Sequence, residues 1–121
     1  MARSAERTGF LGDIITTAVE GGTGYWAQVS QYTHTDVDGR GTRATLHELD
    51  DDEGYREEGL ELTIEGVATA LGQIRRGEIG INGRLRECIA LGDRENDGGE
   101  IDADAADVIT QIALLGEIRY G

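Results

Sequence analysis

The sequence predicts an α+β domain: a small antiparallel sheet of two or three strands between residues 25 and 62, packed by about four helices. Three observations carry this. Apolar residues recur at helical spacing in four separate stretches. One stretch, "YWAQVSQYTH" at 25–34, is instead rich in aromatic and β-preferring residues, and Asp38-Gly39 follows as a hairpin signal. At 121 residues, with no internal repeat or linker, the chain has the length of a single domain over 1–121.

Each element has a local cause. Residues 1–8 are polar and are expected to be disordered. Phe10, Leu11, Ile14, Ile15, Ala18 and Val19 form the stripe of a first helix, and Gly21 stands where a left-handed cap would end it. The strand at 25–34 should turn at Asp38-Gly39 and return as "TRATLHEL", 42–49. Such a two-residue turn would set Ser30 opposite His47 and Arg43 opposite His34. An acidic loop, 50–59, precedes Thr63, the expected N-cap of a second helix with Ile64, Val67, Ala68, Leu71 and Ile74 inside. Asn82 should cap a short third helix with Leu85, Cys88, Ile89 and Leu91 inside, followed by a second acidic loop, "GDRENDGG". Asp102 should cap the last helix, whose stripe is Ala105, Val108, Ile109, Ile112 and Leu115, with Gly116 ending it. "EIRYG" reads as a closing short strand.

Charge excludes more than it identifies. The 24 carboxylates outweigh 11 basic residues, for a net charge of −13. Such a chain is repelled by nucleic acid and by anionic membrane, and its natural complement is a basic protein. All the basic residues are arginine, which points to GC-rich coding. Cys88 is the single cysteine, so neither an internal disulfide nor a cysteine zinc site can form. No secretory h-region or membrane-length apolar run is present, so a cytoplasmic protein is expected.

Candidate sites are few. "EGGTGYWA", 20–27, runs helix, glycines, strand, the opposite polarity to a phosphate-cradling loop. Its plain reading is a helix stop at Gly21-Gly22, with Gly24 allowing a close backbone approach. Its functional reading is a ligand pocket made by Glu20, Gly22, Tyr25 and Trp26. "DRENDGGEIDAD" sets Asp93, Glu95, Asp97 and Asp104 at positions 1, 3, 5 and 12 of a calcium-loop pattern, but the Glu at 3 and the Asp at 12 depart from it. An acidic turn with helix capping explains the same residues. His34 and His47 read as surface histidines. Asp50, Asp51, Asp52, Glu53, Glu57, Glu58, Glu61 and Glu65 form an acidic run, either a solvated face or a mimic of nucleic-acid phosphates. No nucleophile, acid–base pair or cofactor motif stands out, so neither an enzyme nor a bound cofactor is expected.

Two stretches, "DIITTAVEGGTGYWAQVSQY" and "ADVITQIALLGEIRYG", resemble a group of small uncharacterised proteins of actinobacterial phages, prophages and integrative elements. Glu20, Gly21, Gly22, Tyr25, Trp26, Asp107, Gln111, Gly116 and Tyr120 carry the likeness. It implies no catalytic residues. Small acidic proteins of mobile elements are often inhibitors of host systems, including restriction and CRISPR nucleases. The expectation is therefore an acidic binding protein that inhibits a basic nucleic-acid-binding host protein. The alternative is a small-ligand domain that sequesters a nucleotide-like signal through the 20–26 loop. An interaction module for a phage assembly is a third expectation; the sheet could also be the edge of a homo-oligomer, with Leu114 offering a small contact patch.

Overall fold

Four helices and a three-stranded antiparallel sheet, an α+β fold, make up the computed structural model, which describes residues 3–34, 41–50 and 54–121. The order is α1 (Ala5–Thr17), a π-helical turn (Ala18–Gly22), β1 (Ala27–Thr33), β2 (Arg43–Glu48), β3 (Leu60–Leu62), α2 (Ile64–Arg75), α3 (Gly83–Glu95) and α4 (Ala103–Leu115). The strands form a meander in the order β1-β2-β3. Alternation along them sends Ala27, Ala44, Leu46 and Leu62 into the core, while Gln28, Thr45, His47 and Glu61 take the other face. The helices pack on the apolar face, where α1 meets β2 and α4 meets β3.

Local chemistry places most helix ends. Thr63, Asn82 and Asp102 each accept a backbone N–H three residues on, from Gly66, Leu85 and Ala105. Gly116, at φ 77°, ends α4 as expected. The first helix starts earlier than its apolar stripe, because Ser4 caps it by accepting the Arg7 N–H and Arg7 reaches Asp93. Its end also differs. Gly21 is not left-handed; the helix widens into the π turn and runs on through Gly22. Gly22, not Gly24, makes the close approach: a Cβ there would stand 2.8 Å from the Ala103 carbonyl oxygen, whereas one at Gly24 meets nothing within 4 Å.

Four further expectations are corrected. Helix α3 continues through Asp93 to Glu95 and stops at the left-handed Asn96 (φ 53°), so half of the acidic loop is helix. The hairpin register differs on both sides of a bulge at Ser30: Arg43 pairs with Thr33 on the turn side, and beyond the bulge His47 pairs with Gln28. Residues 117–121 form no strand; they lie against α4 instead. Cys88 is half-buried, not buried. The Asp38-Gly39 turn lies outside the described residues.

The core is one cluster running from Phe10 and Trp26 to Ile112. Helix α4 is its axis, with every residue from Ala105 to Ile112 buried. A single-face stripe misses this, because α4 contacts α1, α2, α3, β3 and the π turn together. Its polar residues Asp107, Thr110 and Gln111 are therefore buried as well. Leu114, on its outer side, is partly buried against the same core. No helix among the described residues is long and apolar enough to cross a membrane.

Candidate functional site

Burying Asp107 and Gln111 on α4 creates polar demands that the two distant ends of the chain meet. The two residues stand one helical turn apart on one face. Asp107 accepts the Trp26 indole N–H (2.7 Å), the Tyr25 hydroxyl (2.5 Å) and the Gln111 amide (3.2 Å). Gln111 Oε1 accepts the backbone N–H groups of Arg119 (2.7 Å) and Tyr120 (2.8 Å), and its amide donates to the Tyr120 carbonyl (3.1 Å). Tyr120 then lies flat on Trp26, with ring centroids 5.2 Å apart and planes 8° apart. The Tyr120 hydroxyl donates to buried Glu48 at the end of β2, which also accepts from Arg119 (2.9 Å).

The electrostatics follow from these bonds. The Tyr120 hydroxyl, aided by Arg119, holds the Glu48 carboxyl below its ordinary range, and Glu48 in turn raises the Tyr120 pKa. The Tyr25 ring is half exposed, but its hydroxyl is turned inward. Desolvation first, then the bond to Asp107, pushes its pKa up to about 12. Both acids are thus engaged as hydrogen-bond acceptors. The arrangement is a clasp joining the π turn, β2, α4 and the C-terminal tail. A cleft of about 470 Å³ lies beside it, walled by Tyr25, Tyr120 and Ile118 and by Asn82 and Arg84 at the start of α3.

Of the loop expected to bind a small ligand, Glu20 is exposed, Gly22 is buried under α4, and Trp26 has 0% exposure. A ligand cannot stack on Trp26, because Tyr120 already occupies its face; the pocket reading of that residue is corrected. Tyr25 lines the cleft of about 470 Å³ beside the clasp.

The calcium-loop residues are not brought together. Asp93 is clasped by Arg7 and Arg75, Glu95 pairs with Arg94, Asp97 accepts the Gly99 N–H, and Asp104 lies in the first turn of α4. No group of three or more His, Cys, Asp or Glu side chains among the described residues is arranged to hold a metal ion. His47 is engaged through both ring nitrogens. Its Nδ1 faces the Arg56 carbonyl and so carries the proton, leaving Nε2 to accept from Ser30 in the neutral ring.

The acidic run is partly dispersed. Glu57 and Glu58 are exposed just before β3, Glu61 is exposed on β3 opposite Thr45, and Asp50 is half-buried. Glu65, in the first turn of α2, is ion-paired with Arg3, which lowers its pKa. Asp51, Asp52 and Glu53 lie outside the described residues.

Sequence reasoning missed a second, larger cleft of about 540 Å³ between α2 and α3, lined by Arg7, Arg75, Arg86 and Arg94. The available signal was the spacing of Arg86 and Arg94, eight residues apart on one helix. No protein-family model, curated protein or solved structure matches the chain.

Proposed function

We propose that this chain is a non-enzymatic binding protein that inhibits a basic, nucleic-acid-binding host protein by engaging it through the acidic edge around β3. One observation carries the reading: Glu57 and Glu58 stand exposed just before a three-residue edge strand whose Glu61 is exposed too, whereas Glu48 and Asp107, buried among the described residues, serve the internal clasp. Carboxylates fixed on a sheet edge can occupy the sites that arginines and lysines of such a partner hold for phosphate. Binding then draws on the same charge neutralisation that drives protein–DNA association, with the same steep loss in salt. The net charge of −13 supports this choice of partner, and the likeness to mobile-element proteins supports an inhibitory role.

The test is affinity capture from an actinobacterial lysate with the wild-type chain and with a Glu57→Lys/Glu58→Lys/Glu61→Lys variant. The reading expects nucleic-acid-binding proteins to be retained at low salt, released at high salt and displaced by added duplex DNA. The variant should fold and retain none of them. Equal retention by the variant, or indifference to DNA, contradicts the reading.

A further inference from the structure

The cleft between α2 and α3 inverts the charge of the rest of the molecule. Arg7 from α1, Arg75 from α2, and Arg86 and Arg94 from α3 line it against a single lining carboxylate, Asp93. Its floor is apolar, made by Leu71, Ile74, Ile89 and Ala90. Asp93 holds Arg7 (2.5 Å) and Arg75 (2.9 Å) in place. Arg86 and Arg94 are held loosely, by a 3.4 Å bond to the Ile79 carbonyl and a 3.3 Å exposed contact with Glu95.

We propose that this cleft is a binding site for a small aromatic anion. The argument is charge complementarity on an apolar floor. An anion approaching a chain of net charge −13 is repelled by most of its surface, so four guanidinium groups around one recess create a local minimum for it. Guanidinium groups pair with phosphate, carboxylate or sulfonate oxygens and also stack on aromatic planes. An aromatic body rests on the exposed Ala90, over the buried Ile74 and Ile89, and its acidic group meets Arg86 and Arg94, the two arginines with the least to give up. The volume of about 540 Å³ is in the range of small-molecule sites. This site is separate from the β3 edge and does not depend on it.

The test titrates 8-anilinonaphthalene-1-sulfonate, and its neutral relative N-phenyl-1-naphthylamine, into the purified chain. The wild type should bind the anion saturably at one site and the neutral probe far more weakly. Arg86→Gln/Arg94→Gln should weaken the anion at least tenfold and leave the neutral probe unchanged. Ala90→Trp, which fills the recess from an exposed position, should abolish both; circular dichroism checks that each variant is folded. Unchanged anion affinity in Arg86→Gln/Arg94→Gln overturns the proposal. So does self-association of the wild type that this variant abolishes, because the recess then takes an acidic segment of a second copy instead.

Discussion

Trp26 and Asp107, eighty-one residues apart, meet in a 2.7 Å hydrogen bond from the indole N–H to the carboxylate, with 0% and 7% of the two residues exposed. The bond makes a buried tryptophan and a buried acid tolerable to each other. The indole N–H needs an acceptor once it leaves water, and the carboxylate needs donors. Tyr25 and Gln111 supply the remaining donors.

Asp107→Ala should therefore cost more than a lost surface contact. It orphans the Trp26 N–H in the core, at about 1–3 kcal/mol for an unsatisfied buried group. Urea unfolding followed by the fluorescence of Trp26, the single tryptophan, measures this. A loss below about 0.5 kcal/mol, the scale of an ordinary surface substitution, would mean that the clasp does not support the fold.

Neighbouring glycines should respond in opposite directions. In Gly22→Ala the new methyl meets the Ala103 backbone oxygen at 2.8 Å, which only a shift of α4 or the π turn can relieve. A loss of about 1–3 kcal/mol is expected, the usual cost of overpacking. Gly21→Ala meets nothing within 4 Å and has no positive φ, so it should be neutral or should gain up to about 1 kcal/mol. Thermal melts of the two variants decide this, and a loss in Gly21→Ala larger than in Gly22→Ala would refute it.

Thr110 offers a stabilising change. Its hydroxyl is buried on α4 with no hydrogen-bond partner among the described residues. Thr110→Val keeps the shape and removes the orphan, so a gain of about 1 kcal/mol is expected in the denaturant midpoint. A loss would show that the hydroxyl is satisfied.

The clasp also sets a pH dependence with two sides. The Glu48 pKa is depressed in the fold, so its contribution is complete above its unfolded value, about 4.3, and fades as pH falls through the lower folded value. The Tyr25 pKa is raised to about 12, so its contribution is complete below its unfolded value, about 10, and is lost as pH rises through 12. Denaturant midpoints across pH should show a shallower acid fall in Glu48→Gln and a shallower alkaline fall in Tyr25→Phe. Identical pH profiles for wild type and variants would contradict the assignment.

What the sequence reveals is what neighbours in the chain decide. Thr63, Asn82, Asp102 and Gly116 act within one turn of themselves, so their capping roles are legible from residue type and spacing. The single-residue bulge at Ser30 is invisible to alternation alone and shifts every pair beyond it, from Val29–Leu46 to Ala27–Glu48. Gly22 does end the first helical run, but its close approach to the Ala103 carbonyl shows only once α4 is placed against it. No local pattern shows that Tyr25, Trp26, Asp107, Gln111 and Tyr120 form one clasp, because those bonds span up to 86 residues. The arginine cleft draws on three helices, and only the spacing of Arg86 and Arg94 on α3 marks it in the sequence.

Glu48 and Asp107 are buried and hold the fold, while Glu57, Glu58 and Glu61 are exposed and form the proposed binding edge. Salt-sensitive capture of basic proteins, measured on Asp107→Asn and on Glu57→Lys/Glu58→Lys/Glu61→Lys at a temperature where both are folded, tests that division most directly. Asp107→Asn should melt earlier yet capture as the wild type does, while the edge variant should melt normally and capture nothing. Capture lost in Asp107→Asn and kept in the edge variant would contradict it, and would move the working surface from the β3 edge to the clasp.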